Sequence, residues 1–120
     1  MIDWKAVAVG FVIIVVAGIV GFSVPILGHA VAGLIGGFAA GYLAGGSLGN
    51  GAWNGLIAGS ISGVIVTLIA ALLGGALGFA AGPLGTLVGG LGVLAIGIFL
   101  TVIFALDSAL GGAVGAWAKA

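Results

Sequence analysis

The sequence contains no cysteine, no glutamate, no arginine and a single histidine. Without thiols there can be no disulfide, thiolate nucleophile or cysteine-ligated metal, and the compartment stays open. General acid–base and nucleophilic catalysis need neighbouring side chains in defined roles, and few candidates remain. No enzyme, catalytic residue, metal site or cofactor is therefore expected. Charge is almost missing as well. Asp3, Lys5, Asp107 and Lys119 are the only charged side chains, 3% of a chain that is 63% hydrophobic. A soluble domain covers its surface with about 25% charged residues. This chain has too few for that, so its expected solvent is the hydrocarbon of a lipid bilayer. Nucleic acid is not an expected partner.

What is present is length and apolarity. A bilayer core of about 30 Å takes roughly 20 apolar residues per helix, so 120 residues suit four spans. The expected spans cover about residues 4–22, 29–46, 55–75 and 84–106, with a short segment at 107–120. That last segment reads either as an interfacial helix or as an extension of the fourth span. Lys5 followed by an apolar run has the outline of a secretory signal, but the run is read as a retained transmembrane helix. Ser23, Pro25 and Gly28 predict the first turn, Asn50-Gly51 the second, with Asn54 as a helix cap, and Pro83 the third. Membrane β-strands would alternate apolar and polar residues; runs such as FVIIVVAGIV do not. The predicted fold is an all-α, up-down-up-down bundle of four membrane helices. PILGHAVAGL and PLGTLVGGL align with one gap, which suggests two similar helical hairpins, though so simple a composition can also produce that likeness by chance.

Trp4, Trp53 and Trp117 fall on one side of such a bundle, where indole prefers the membrane interface. Lys5 and Lys119 share that side, so the positive-inside rule predicts a multi-pass protein of the cell membrane with both termini in the cytoplasm.

Glycine is the other abundance, at 27 residues. Gly49, Gly51 and Gly55 approximate a dinucleotide fingerprint. That motif works only between a strand and a helix with an acidic residue about 20 positions on, and here a membrane helix precedes it and no acid follows before Asp107. A P-loop lysine is missing too, so nucleotide is not an expected ligand. The spacing has a better explanation. Gly33, Gly37, Gly41, Gly45 and Gly49 stand four apart, as do Gly51, Gly55, Gly59 and Gly63. Residues four apart share one helical face, and without side chains they form a groove into which a second helix can pack closely. Gly36, Ala40 and Ala44 form a parallel row. Further glycines at 74, 78, 82, 85, 89, 111 and 115 give nearly every helix more than one small face. That surplus predicts packing within the chain and, beyond it, homo-oligomers or other membrane-protein subunits.

Polar residues inside the spans are few. Ser60, Ser62, Thr67, Thr86 and Thr101 can return their hydroxyls to carbonyls one turn back. Tyr42 would line a cavity or face an interface. His29, at the start of span two, either faces interfacial water or senses pH. Asp107 has two readings. At the end of span four it marks a membrane boundary; if that span runs from Gly92 to Trp117, it is an intramembrane carboxylate and a possible ion or proton site.

DWKAVAVGF and the run AGLIGGFAAGYLAGGSLGNGAWNGLIAG together resemble a family of small uncharacterised archaeal membrane proteins, domain of unknown function 5518. The most specific stretch is AGYLAGGSLGNGAWNG; the second half is similar mainly in hydropathy and glycine content. The resemblance implies four spans and an archaeal cell membrane, and it carries no catalytic residues. The expected function is non-enzymatic: a polytopic membrane protein that forms tight homo-oligomers or serves as a small subunit of a larger complex. The alternative is an oligomeric channel or a transporter of ions or small solutes.

Overall fold

In the computed structural model, residues 1–21 and 25–120 are described. They form four α-helices, α1 (Trp4–Val20), α2 (Pro25–Ala44), α3 (Leu48–Gly78) and α4 (Pro83–Lys119), with a 3-10 turn at Phe79–Ala81 before α4. No strand occurs among the described residues. The Asp3 carboxylate starts α1 by accepting the Lys5 and Ala6 N–H groups, both at 3.1 Å. The Ser47 hydroxyl starts α3 by accepting from Asn50 N–H. Pro83 opens α4 at a position where its missing N–H costs nothing, after Gly82 at φ +90°.

Several element bounds depart from those read in the sequence. The second turn is not at Asn50-Gly51 but at Gly45 and Gly46, whose φ values of +63° and +78° suit glycine. Asn50 instead lies in the first turn of α3 and closes the connection, its Nδ2 donating to the Gly45 carbonyl at 2.9 Å. Asn54 is no cap; it lies well inside α3. α2 begins at Pro25, so Gly28 is helical rather than part of a turn, while Phe22 and Ser23 lie outside the described residues. α4 runs unbroken to Lys119, so residues 107–119 extend the fourth helix rather than form a separate interfacial segment. In lipid a glycine-rich stretch stays helical because no water is there to satisfy a broken backbone.

The helices run alternately up and down. Asp3 bonds to Asn54, Gly51 meets Ala116, and the Lys119 ammonium donates to the Leu43 carbonyl, so the start of α1, the α2–α3 turn and the end of α4 share one end. Lengths are unequal. α1 and α2 have 17 and 20 residues, whereas α3 and α4 have 31 and 37. At 1.5 Å per residue these span about 26, 30, 46 and 55 Å. The molecule accordingly measures 55 × 28 × 19 Å. α2, α3 and α4 are long and apolar enough to cross a membrane, whereas α1 is a shorter apolar helix.

The interior is small and partly polar. Ala6, Val7, Ala32, Ala40, Ala58, Ala105 and Ala116 are its buried apolar residues, and the largest fully buried side chains are Asn54 and Ser108. The large apolar residues point outward, Leu72 being 76% and Leu77 80% exposed. A water-soluble protein hides such side chains. Here the arrangement is inverted, as it is where helices pack through small residues and lipid covers the rest.

Candidate functional site

Both glycine ladders are spent on α4. A methyl group on Gly33, Gly37 or Gly41 of α2 would strike Asp107, Ser108 or the Gly112 carbonyl. On Gly51, Gly55, Gly59 or Gly63 of α3 it would strike Gly112 and Ala116, Ser108, Ala105 and Ser108, or Thr101. Gly45 leaves the ladder and serves the turn beside the Lys119 side chain, and Gly49 touches only the Ser47 hydroxyl. Gly36 and Ala40 receive Gly10 of α1, Gly111 and Gly115 pack on Leu34 and Phe38 of α2, and Gly74 and Gly78 face Gly89 and Gly85. The surplus of small faces is thus taken up largely inside one chain.

Two polar places stand out in this frame. The first is the end that carries the charges. Asn54, fully buried, accepts the Asp3 N–H at 2.7 Å and donates to the Met1 and Asn50 carbonyls at 3.0 and 2.9 Å. One side chain so ties the segment before α1 to α3. Trp4, Trp53 and Trp117 are exposed around the same end. The Lys119 ammonium lies 5.8 Å above the Tyr42 ring, which stacks on Phe38. Tyr42 therefore belongs to this end rather than to a cavity.

The second place is the middle of the bundle. A cavity of about 490 Å³ lies between all four helices, and Gly18, His29, Gly33, Thr67, Thr101 and Phe104 are among its walls. Its hydroxyls are occupied. Ser62 donates to the Ala58 carbonyl at 2.8 Å, Thr101 to the Gly97 carbonyl at 2.7 Å, and Thr67 pairs with Thr101 at 3.2 Å. His29 is half-buried: its ring lies 5.9 Å from that of Phe104 and against Gly18, so it faces α1 and α4 as well as any solvent. Asp107 stands inside α4, twelve residues before Lys119, with its carboxyl against Gly33. Its Oδ2 is buried and has no hydrogen-bond partner among the described residues. No three His, Cys, Asp or Glu side chains converge as metal ligands among those residues.

Of two residues that matter here, the sequence reading passed over Ser108 and took Asn54 for a helix cap. Ser108 is fully buried and donates across to the Gly55 carbonyl of α3 at 2.7 Å. Its signal was available: Ser108, Gly112 and Ala116 form a small-residue row of the same four-residue spacing. Asn54 had the weaker signal, a polar residue one turn inside a helix start.

Residues 4–118 match a family of unknown function (DUF5518). The match covers almost the whole chain, and the protein belongs to that family. No curated protein and no solved structure matches it.

Proposed function

We propose that this DUF5518 protein is a non-enzymatic membrane component that assembles with copies of itself through the far half of its α3–α4 hairpin. The observation that supports this most is the mismatch in helix length. α3 and α4 reach about 46 and 55 Å against a hydrocarbon core of about 30 Å; helices too long for the bilayer tilt, kink or thicken it, and the cost of that mismatch can drive helix association. Where α1 and α2 have ended, α3 and α4 carry a groove of about 760 Å³ floored by Ala71, Gly75 and Gly90 and rimmed by Leu68, Leu72 and Leu87. A β-carbon on Gly75 or Gly90 would rest in ordinary contact with the facing helix of the hairpin, at 3.6–3.7 Å, so the floor is the α3–α4 contact itself, and the exposed leucines of the rim are what a second copy would meet.

The mass of the native protein in mild detergent tests the reading. An oligomer is expected, reduced to monomer by Leu72→Ala with Leu87→Ala, which strip the exposed rim and leave the α3–α4 contact intact. A wild-type monomer in both detergent and lipid nanodiscs overturns it, and a complex containing other chains points to the subunit role instead. Lys5 and Lys119 lie at one end, and by the positive-inside rule that end faces the cytoplasm of a cell-membrane protein.

The cavity between the helices favours a second reading, an ion or small-solute transporter. Flux through proteoliposomes no faster than through empty vesicles counts against it.

A further inference from the structure

His29 and Asp107 lie on one seam. α2 and α4 run parallel, and their contacts are matched level by level. At one level the His29 ring faces Phe104, with centroids 5.9 Å apart. At the next, Gly33 faces the Asp107 carboxyl, whose Oδ2 would lie 2.6 Å from a β-carbon on Gly33. His29 and Gly33 are four residues apart on α2, which puts about 6 Å of helix rise between the levels. His29, Gly33 and Phe104 also line the central cavity, so the seam opens onto it.

We propose that Asp107 is an intramembrane proton-exchange site beside this cavity, next to its wall residue Gly33, with His29, one level away on the same seam, as the group that passes the proton. A carboxylate with one oxygen buried and without a donor is costly in hydrocarbon, and something must answer its charge. The nearby hydroxyls cannot: Ser62 and Thr101 give their protons to backbone carbonyls, and Thr67 is paired with Thr101. Nor does any helix bring a cation. α3 has no titratable side chain, α1 carries only Lys5, at the charged end, and α4 adds only Lys119, about 18 Å along the helix. On α2, His29 is the group at hand, since Tyr42 lies at the charged end beside Lys119. A metal ion would need more ligands than this pair, and none joins it among the described residues. A proton needs none. The site stands on side chains of one chain, so it holds whether or not the protein assembles.

The probe is N,N′-dicyclohexylcarbodiimide, an apolar reagent. A carboxylic acid gives its O–H proton to one carbodiimide nitrogen while the carboxyl oxygen bonds to the central carbon, forming an O-acylisourea. Asp3 and Asp107 are the only acidic side chains, so Asp3 is a control within the same molecule. The full chain in lipid nanodiscs is labelled across a pH series, and adducts are mapped by mass spectrometry. Asp107 is expected to be modified and Asp3 not, with labelling that fades as pH rises. Asp107→Asn abolishes the adduct. His29→Gln displaces the pH at which labelling fades. Gly33→Ala, which pushes the carboxyl aside, lowers labelling at unchanged helix content by circular dichroism. Labelling confined to Asp3, labelling of Asp107 that ignores pH, or an unlabelled Asp107 in a chain of native helix content overturns the proposal.

Discussion

The half of the bundle near the charges and the half far from them use the same glycine spacing to different ends. Near the charges, α4 is enclosed by α2 and α3, and backbone meets backbone at Gly41, Gly51 and Gly112. Polar side chains complete that packing, Asn54 joining the chain start to α3 and Ser108 joining α4 to α3. In the far half, Gly74 and Gly78 still meet Gly89 and Gly85, but among the described residues no third helix covers them and leucines face outward. Four-residue glycine spacing therefore brings two helices together anywhere. A layer of three or more helices further needs buried polar bonds to select which faces meet.

The comparison breaks most sharply under a pair of equivalent substitutions. Gly41→Leu drives a side chain into the Gly112 carbonyl where neighbouring helices leave no way to relax. It should cost roughly 3 kcal/mol or more, the upper end of what overpacking costs. Gly78→Leu collides with the Gly85 carbonyl in the same way, but two helices alone can splay, so a clearly smaller loss is expected. Thermal unfolding of both variants in one detergent checks the difference; equal losses would mean the two halves are equally constrained. Asn54→Ala comes next. It leaves the Asp3 N–H and the Met1 carbonyl without their partner, while the Asn50 carbonyl keeps its helical bond, for roughly 1–3 kcal/mol, and hydrogen exchange should rise selectively in residues 1–6. Ser108→Ala removes one interhelical bond and keeps the β-carbon, so about 1 kcal/mol should be lost in the same assay. Smallest of all is Gly92→Ala in the far half, where a β-carbon meets nothing within 4 Å. A change within about 0.5 kcal/mol is expected, and a large one would reveal a neighbour covering that face.

Much of this was legible in the sequence because lipid simplifies the problem. Charge poverty pointed to hydrocarbon, and glycine spacing gave the faces that meet. The third turn was readable because Pro83 must start a helix and Gly82 precedes it. The second was misread because Asn50-Gly51 is the stronger dipeptide in water, whereas Gly45, Gly46 and a Ser47 cap supply the turn and leave Asn50 free to brace it from inside α3. Helix lengths were misjudged by using bilayer thickness as the ruler. Without charges to mark the ends, α3 runs on until the 3-10 turn before Gly82, and α4 continues to Lys119. The place of Asp107 followed from that error, since its setting depends on where α4 ends. Nor does spacing tell which helix a glycine face will meet; both ladders met α4, which only the packed bundle shows.

Gly112 is the residue where α2, α3 and α4 come closest, its carbonyl lying against both Gly41 and Gly51. In mechanical terms it is a fulcrum with a long arm. About 44 Å of helix separates it from Pro83, so a tilt of about 5° at Gly112 moves the far tip by roughly 4 Å. A change at the fulcrum too small to disturb any contact there is enlarged at the opposite end to the width of a side chain.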